Sequence, residues 1–164
     1  MQSLQYSEHL SDYLSEILYV LRIEYDHERL GEDVLREIGA KSFSAQDSKS
    51  PRSFGRFLVR FTELNPATMR KSIATLRRHL DSESYPIRNA MLEVVGLLIR
   101  DLVNNEDGAT STATQEGGAE ASMDSPEARK KQIEGFWELL LVRYMDLNSY
   151  VRSKTITICN KLLE

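Results

Sequence analysis

Acids and arginines at recurring positions are the residues here best placed to do chemistry. The chemistry they offer is ion pairing and anion contact rather than bond making. Asp81-Ser82-Glu83-Ser84-Tyr85 and Asp146-Leu147-Asn148-Ser149-Tyr150 both read D-x-x-S-Y, and each is followed within three residues by a β-branched residue and an arginine, Ile87-Arg88 and Val151-Arg152. A carboxylate before a helix accepts its first amides. A guanidinium one turn later reaches an aspartate of its own or the adjacent turn. Asp81, Arg88, Asp146 and Arg152 are therefore expected to be structural, forming a ladder between repeated units. Arg52, Arg56 and Arg60 recur at every fourth position, and Lys71 and Arg78 share the outer face of the next helical segment. Such cations suit phosphate contact along duplex DNA, weak and independent of base sequence. An ordinary solvated face is the competing reading of the same stripe.

No residue pattern supports catalysis. His9, His27 and His79 are scattered, with no second ligand at metal spacing. Cys159 lies on an apolar face with no histidine near it in sequence. Gly117-Gly118 lacks the Lys-Ser/Thr of a phosphate loop. The expectation is a non-enzyme with no cofactor, no metal and no small-molecule substrate. Ser50-Pro51 and Ser125-Pro126 lie in predicted loops and meet the minimal requirement of a proline-directed kinase. A phosphate would add up to about two negative charges.

The elements that carry these residues read as helices throughout. Tyr6, Leu10, Tyr13, Leu14, Ile17, Leu18 and Leu21 make an apolar stripe at three- and four-residue spacing. Gly31 is expected to break that helix, and Gly39 to stop the short one that follows. Residues 40–50 read as a polar loop, with Pro51 opening the next helix. Phe54, Phe57, Leu58, Phe61 and Leu64 form its buried face, and Asn65-Pro66 separates it from a helix bearing Met69, Ile73, Leu76 and Leu80. A helix from about Pro86 to Val103 has an apolar arc wide enough for two neighbours. Residues 104–126 are Gly-, Ala-, Ser- and Thr-rich with no base and 5 acids, a composition expected to stay disordered. Order returns with the stripe Ile133, Phe136, Trp137, Leu140, Leu141, Tyr144 and Met145, then Val151, Thr155, Ile158, Cys159 and Leu162. Trp137 is expected in the core. Tyr85 and Tyr150 are expected to pack against the neighbouring repeat.

Self-similarity of helix–turn–helix units is the mark of a stacked repeat. Arg88 and Arg152 stand 64 residues apart. Without the 23 residues of 104–126 the period is about 41, within the range of HEAT-type repeats. The fold class expected is all-α, a HEAT-repeat solenoid segment of antiparallel helix pairs with a long disordered loop. Its parts are N-terminal helices and loop (1–50), HEAT-type helices (51–103), the acidic loop (104–126) and a final helix pair (127–164). The net charge of −4 conceals a basic block: residues 48–103 hold 10 bases and 5 acids. One cysteine, no span-length apolar run and no basic, signal-like start are read as a soluble, intracellular chain with no membrane.

The string from Asp81 to Ala90 resembles the LD-x-E-x-Y-x-x-RNA segment of the HEAT-repeat subunit family of condensin. Asp146 to Lys154 resembles that family's D-V-N-S-Y/F-V-R-S-R segment, with Lys154 in place of arginine. Phe57 to Pro66, FLVRFTELNP, is similar to the segment just upstream. The resemblance covers roughly 50–163. It implies a fragment from the N-terminal half of a much longer solenoid. It also implies a scaffold that works with the kleisin subunit and SMC ATPases of condensin, and engages DNA in mitotic chromosome condensation. The implied location is the nucleus and mitotic chromosomes. A HEAT adaptor for transport or signalling proteins shares the solenoid and is the alternative.

Overall fold

A computed structural model describes residues 8–47, 49–108 and 125–164. Tyr6 and most of the expected 104–126 loop (109–124) lie outside the described residues. Among the described residues there are seven α-helices and no strand: α1 Glu8–Tyr25, α2 Glu28–Ala40, α3 Ser50–Leu64, α4 Pro66–Leu76, α5 Tyr85–Gly108, α6 Pro126–Leu141 and α7 Ser149–Leu163. Short 3₁₀ turns, Arg77–Asp81 and Val142–Met145, extend α4 and α6.

All 4 prolines of the chain fall in the first turn of a helix: Pro51 in α3, Pro66 in α4, Pro86 in α5 and Pro126 in α6. There the missing amide costs no intrahelical bond and the ring presets φ. The α3/α4 boundary at Asn65 follows from the same rule.

The helices stack in two layers. α1, α3, α5 and α7 pack side by side in one; α2 and α4 pack together in the other, and α6 rests on α5. The units are thus α2–α3, α4–α5 and α6–α7, with α1 completing the first layer. The core runs continuously through them. Phe54, Phe57 and Phe61 of α3 meet Met91, Val94, Val95 and Leu98 of α5, and Val151 and Ile158 of α7 continue it. α5 touches α3, α6 and α7, so its wide apolar arc is used on several sides.

Small residues let the first layer close. A Cβ on Gly55 would sit 2.7 Å from the Ala90 Cβ, and one on Gly96 would sit 2.7 Å from the Ile158 Cγ2. These glycines permit α3–α5 and α5–α7 to approach closely.

Three expectations are corrected. The break between α1 and α2 falls at Asp26, in the left-handed region at φ 56, not at Gly31. A short polar side chain tolerates that conformation. Gly31 and Gly39 lie inside α2, buried against Phe61 and Thr75. Second, only part of the α1 stripe faces the core. Leu18 is buried and Leu14 packs half-buried against the core, while Leu10, Tyr13 and Ile17 are exposed. Ser11 and Ser15 share the buried face, and their hydroxyls donate to the Ser53 carbonyl (2.9 Å) and the Phe57 carbonyl (3.4 Å) of α3. Third, Leu141, Tyr144 and Met145 are exposed, and Trp137 packs against the core only half-buried. α5 also continues five residues into the stretch expected to be loop.

Candidate functional site

Two places gather the charged residues singled out above: the junction between the α4–α5 and α6–α7 units, and a groove along the α1–α3–α5–α7 layer.

At the junction, Arg88 Nη2 donates to Asp146 Oδ1 at 3.1 Å, with Arg88 12% and Asp146 6% exposed. Arg88 Nη1 also donates to the Ser82 carbonyl at 2.5 Å and the Glu83 carbonyl at 3.2 Å. Arg152 repeats that local geometry one unit later, its Nη1 donating to the Asp146 and Leu147 carbonyls at 2.8 and 3.1 Å. Both arginines thus clamp carbonyls six and five residues upstream.

This sets a register that differs from the one read off the strings. Asp146 is the counterpart of Ser82, not of Asp81. The Ser84 amide donates to Ser82 Oγ (3.3 Å) as the Asn148 amide donates to Asp146 Oδ1 (2.8 Å). Asn148 rather than Asp146 caps α7, its side chain accepting from the Tyr150 amide at 2.9 Å. Asp81 caps nothing; it accepts from Arg143 Nη2 at 2.8 Å, tying one 3₁₀ turn to the next. Arg143 was not singled out from sequence, since it sits among apolar residues with no charge pattern around it. The rings of Tyr85 and Tyr150 stack on each other at 5.6 Å between centroids. Lys154 adds an ion pair to Glu93 at 2.6 Å.

The groove has a volume of about 810 Å³. Arg52, Arg56 and Arg60 line it, interleaved with Asp12, Glu16, Glu63 and Glu93 over a floor that includes Gly55, Val59 and Ala90. Arg56 Nε donates to both Asp12 oxygens at 2.9 and 3.1 Å. Arg60 pairs with Glu63 at 3.0 Å and Glu16 at 3.2 Å, which hold its guanidinium pKa above the usual value. The acids of α1 thus lie against the bases of α3. This pairing was illegible because the two sets are 44 residues apart.

Lys71 and Arg78 lie in the other layer and are not brought to this groove. Lys71 pairs with Glu28 at 2.8 Å; the bond lowers the Glu28 pKa and raises that of Lys71. Arg78 Nη2 donates to Ser42 Oγ at 3.4 Å.

The two serines part company. Ser50 is not in a loop: it is the first residue of α3, 5% exposed, and its amide donates to Asp47 Oδ1 at 3.1 Å. Its hydroxyl also bonds Asp47, which is the main reason that carboxyl sits below its usual pKa. Ser125 is exposed and caps α6, its Oγ accepting from the Ala128 amide at 3.1 Å.

His79, in the 3₁₀ turn after α4, is buried against Phe43, with Nε2 2.9 Å from the Ile38 carbonyl. The ring donates there, and burial pushes its pKa down. Among the described residues no group of His, Cys, Asp and Glu side chains is placed to hold a metal, and no helix is long and apolar enough to cross a membrane.

No family model matches the chain. Individual proteins do. Condensin complex subunit 1 of Saccharomyces cerevisiae is 30% identical over 164 residues, all of this chain and 12% of that protein. The Schizosaccharomyces pombe protein of the same name is 28% identical over 164 residues, all of this chain and 13% of that protein. That of Xenopus laevis is 29% identical over 166 residues, 11% of its length. The chain spans roughly one eighth of the length of the fungal relatives it matches. A stack of helix pairs, tied together by the very strings that carried the resemblance, is thus similar along its whole length to condensin complex subunit 1 of fungi and vertebrates.

Proposed function

We propose that this chain is a HEAT-repeat stretch of a condensin subunit 1, a scaffold with no catalysis of its own. In this reading it supports assembly with the kleisin subunit and SMC ATPases, and acts in the nucleus and on mitotic chromosomes. The observation that carries the reading is the junction: Arg88, Asp146, Asp81 and Arg143 join successive units without forming a cleft around a reactive group. Stacked helix pairs present extended surfaces rather than active sites. Affinity purification of the tagged full-length product from dividing cells tests it. Two SMC ATPases, a kleisin and a second HEAT subunit should co-purify. Transport receptors or signalling proteins in their place would refute the condensin assignment.

Contact with duplex DNA is proposed for the α3 face, where Arg52 forms no ion pair among the described residues while Arg56 and Arg60 face acids. Such contact is weak and falls steeply with salt. Reversing Arg52, Arg56 and Arg60 to Glu should abolish it in a low-salt titration. Unchanged affinity would remove this face from DNA binding.

A further inference from the structure

The second layer is split where the first is closed. α2 packs on α4, but α4 and α6 do not pack along each other, although α3, α5 and α7 pack side by side beneath them. Between α4 and α6 runs a cleft of about 590 Å³. Ile73 and Leu80, on and just after α4, form one wall, Phe136 and Leu139 of α6 the other, and Met91 and Val95 of α5 the base. We propose that this cleft is the docking site for an amphipathic helix of another protein, seated against Gly135 with an acid toward Arg77 and a base toward Glu138.

Gly135 points to a helix as the occupant. A glycine inside a helix costs stability relative to alanine, so each one calls for a reason. Gly31, Gly39, Gly55 and Gly96 have theirs within the chain: a Cβ on any of them would come within 2.6 to 3.0 Å of a side chain on another helix. Gly135 has no such reason. It lies inside α6, it is exposed, and a Cβ there would meet nothing within 4 Å. It also lines the cleft. Glycine is the residue this chain uses where two of its helices come close, so a glycine facing a groove marks where a further helix comes close.

The charges on the two walls set the chemistry of that helix. Arg77 stands at the end of α4 and Glu138 on α6. Both are exposed, and neither forms an ion pair among the described residues. Arg70, the other cation of the α4 wall, is already held by Asp101 at 3.0 Å. One charge of each sign on opposite walls fixes the direction of the occupant as well as its composition. Its apolar side chains recur at three- and four-residue spacing over the cleft, with an acid along one edge and a base along the other. The inference does not depend on the condensin reading, since it uses only the cleft, its glycine and its two charges.

The test pans the full chain against a phage-displayed library of randomised helical peptides about four turns long, and measures the selected peptides by fluorescence anisotropy. Peptides with an apolar stripe flanked by an acid and a base are expected. Gly135→Leu should weaken their binding about tenfold or more. Its Tm should be unchanged or higher, because the new side chain enters the cleft and leucine is the better helix former. Arg77→Glu should weaken binding too, and exchanging the peptide's acid for lysine should restore binding to that variant. Selection of no sequence, equal affinity for Gly135→Leu, or no recovery on the charge exchange would each overturn the proposal. A concentration-dependent dimer of the peptide-free chain, lost in Gly135→Leu, would assign the cleft to a second copy and overturn it as well.

Discussion

Arg88–Asp146 at the unit junction and Arg56–Asp12 in the groove have the same chemistry and different settings. The first pair is 12% and 6% exposed, the second 48% and 34%. Arg88 also holds two carbonyls of its own turn, and Asp146 also accepts a backbone amide. Removing either junction partner leaves a buried charge and several backbone groups unmatched. Removing a groove partner leaves a charge that water can reach. Burial therefore decides which pairs bind the stack together and which stay within reach of water.

The largest effect expected from breaking this contrast is at the junction. Asp146→Ala should cost about 3–5 kcal/mol in urea denaturation, the usual penalty for stranding one member of a buried pair. A loss near that of an exposed pair would make the junction no different from the groove.

Next comes the close approach of α3 and α5, which carry one arginine of each pair. Gly55→Ala should cost about 1–3 kcal/mol, because the new methyl meets the short, immovable Ala90 side chain. The better helix propensity of alanine offsets part of this. A stabilised variant would mean that α3 and α5 can move apart freely, and that the groove is not rigidly framed.

A smaller, pH-dependent effect is expected at His79. Its folded pKa is lowered, so the unfolded chain binds the proton more tightly. The stability of the buried neutral ring is complete above the unfolded value of about 6.5. It is lost as pH falls from there toward the folded value. Thermal unfolding of the wild type should therefore weaken below that pH more than that of His79→Gln. Parallel pH profiles would contradict the buried neutral ring.

The smallest effect belongs to the groove. Arg56→Ala should change stability by less than about 1 kcal/mol, and by still less in high salt. A larger, salt-independent loss would mean that this pair too is part of the frame.

Much of the fold was legible because local rules govern it. Prolines mark helix starts, and α3 carries one apolar face with a strict period. The α1 face was only partly legible: Ser11 and Ser15 pack there by bonding carbonyls of α3 beside Leu14 and Leu18, while Leu10, Tyr13 and Ile17 point outward. Periodicity reports where the apolar residues lie, not which face is used. The repeat register was misread by one because the D-x-x-S-Y strings match as text, whereas the arginines clamp carbonyls counted backward from themselves. Pro86 adds one residue between string and arginine. Of the cations, sequence spacing found those on α3 but not the acids of α1 that face them.

Double-mutant cycles on Arg88–Asp146 and Arg56–Asp12, measured side by side by urea denaturation, test the central claim most directly. The account predicts a coupling of about 1.5–3 kcal/mol for the junction pair and below about 1 kcal/mol for the groove pair. Equal couplings, or a larger one in the groove, would contradict it.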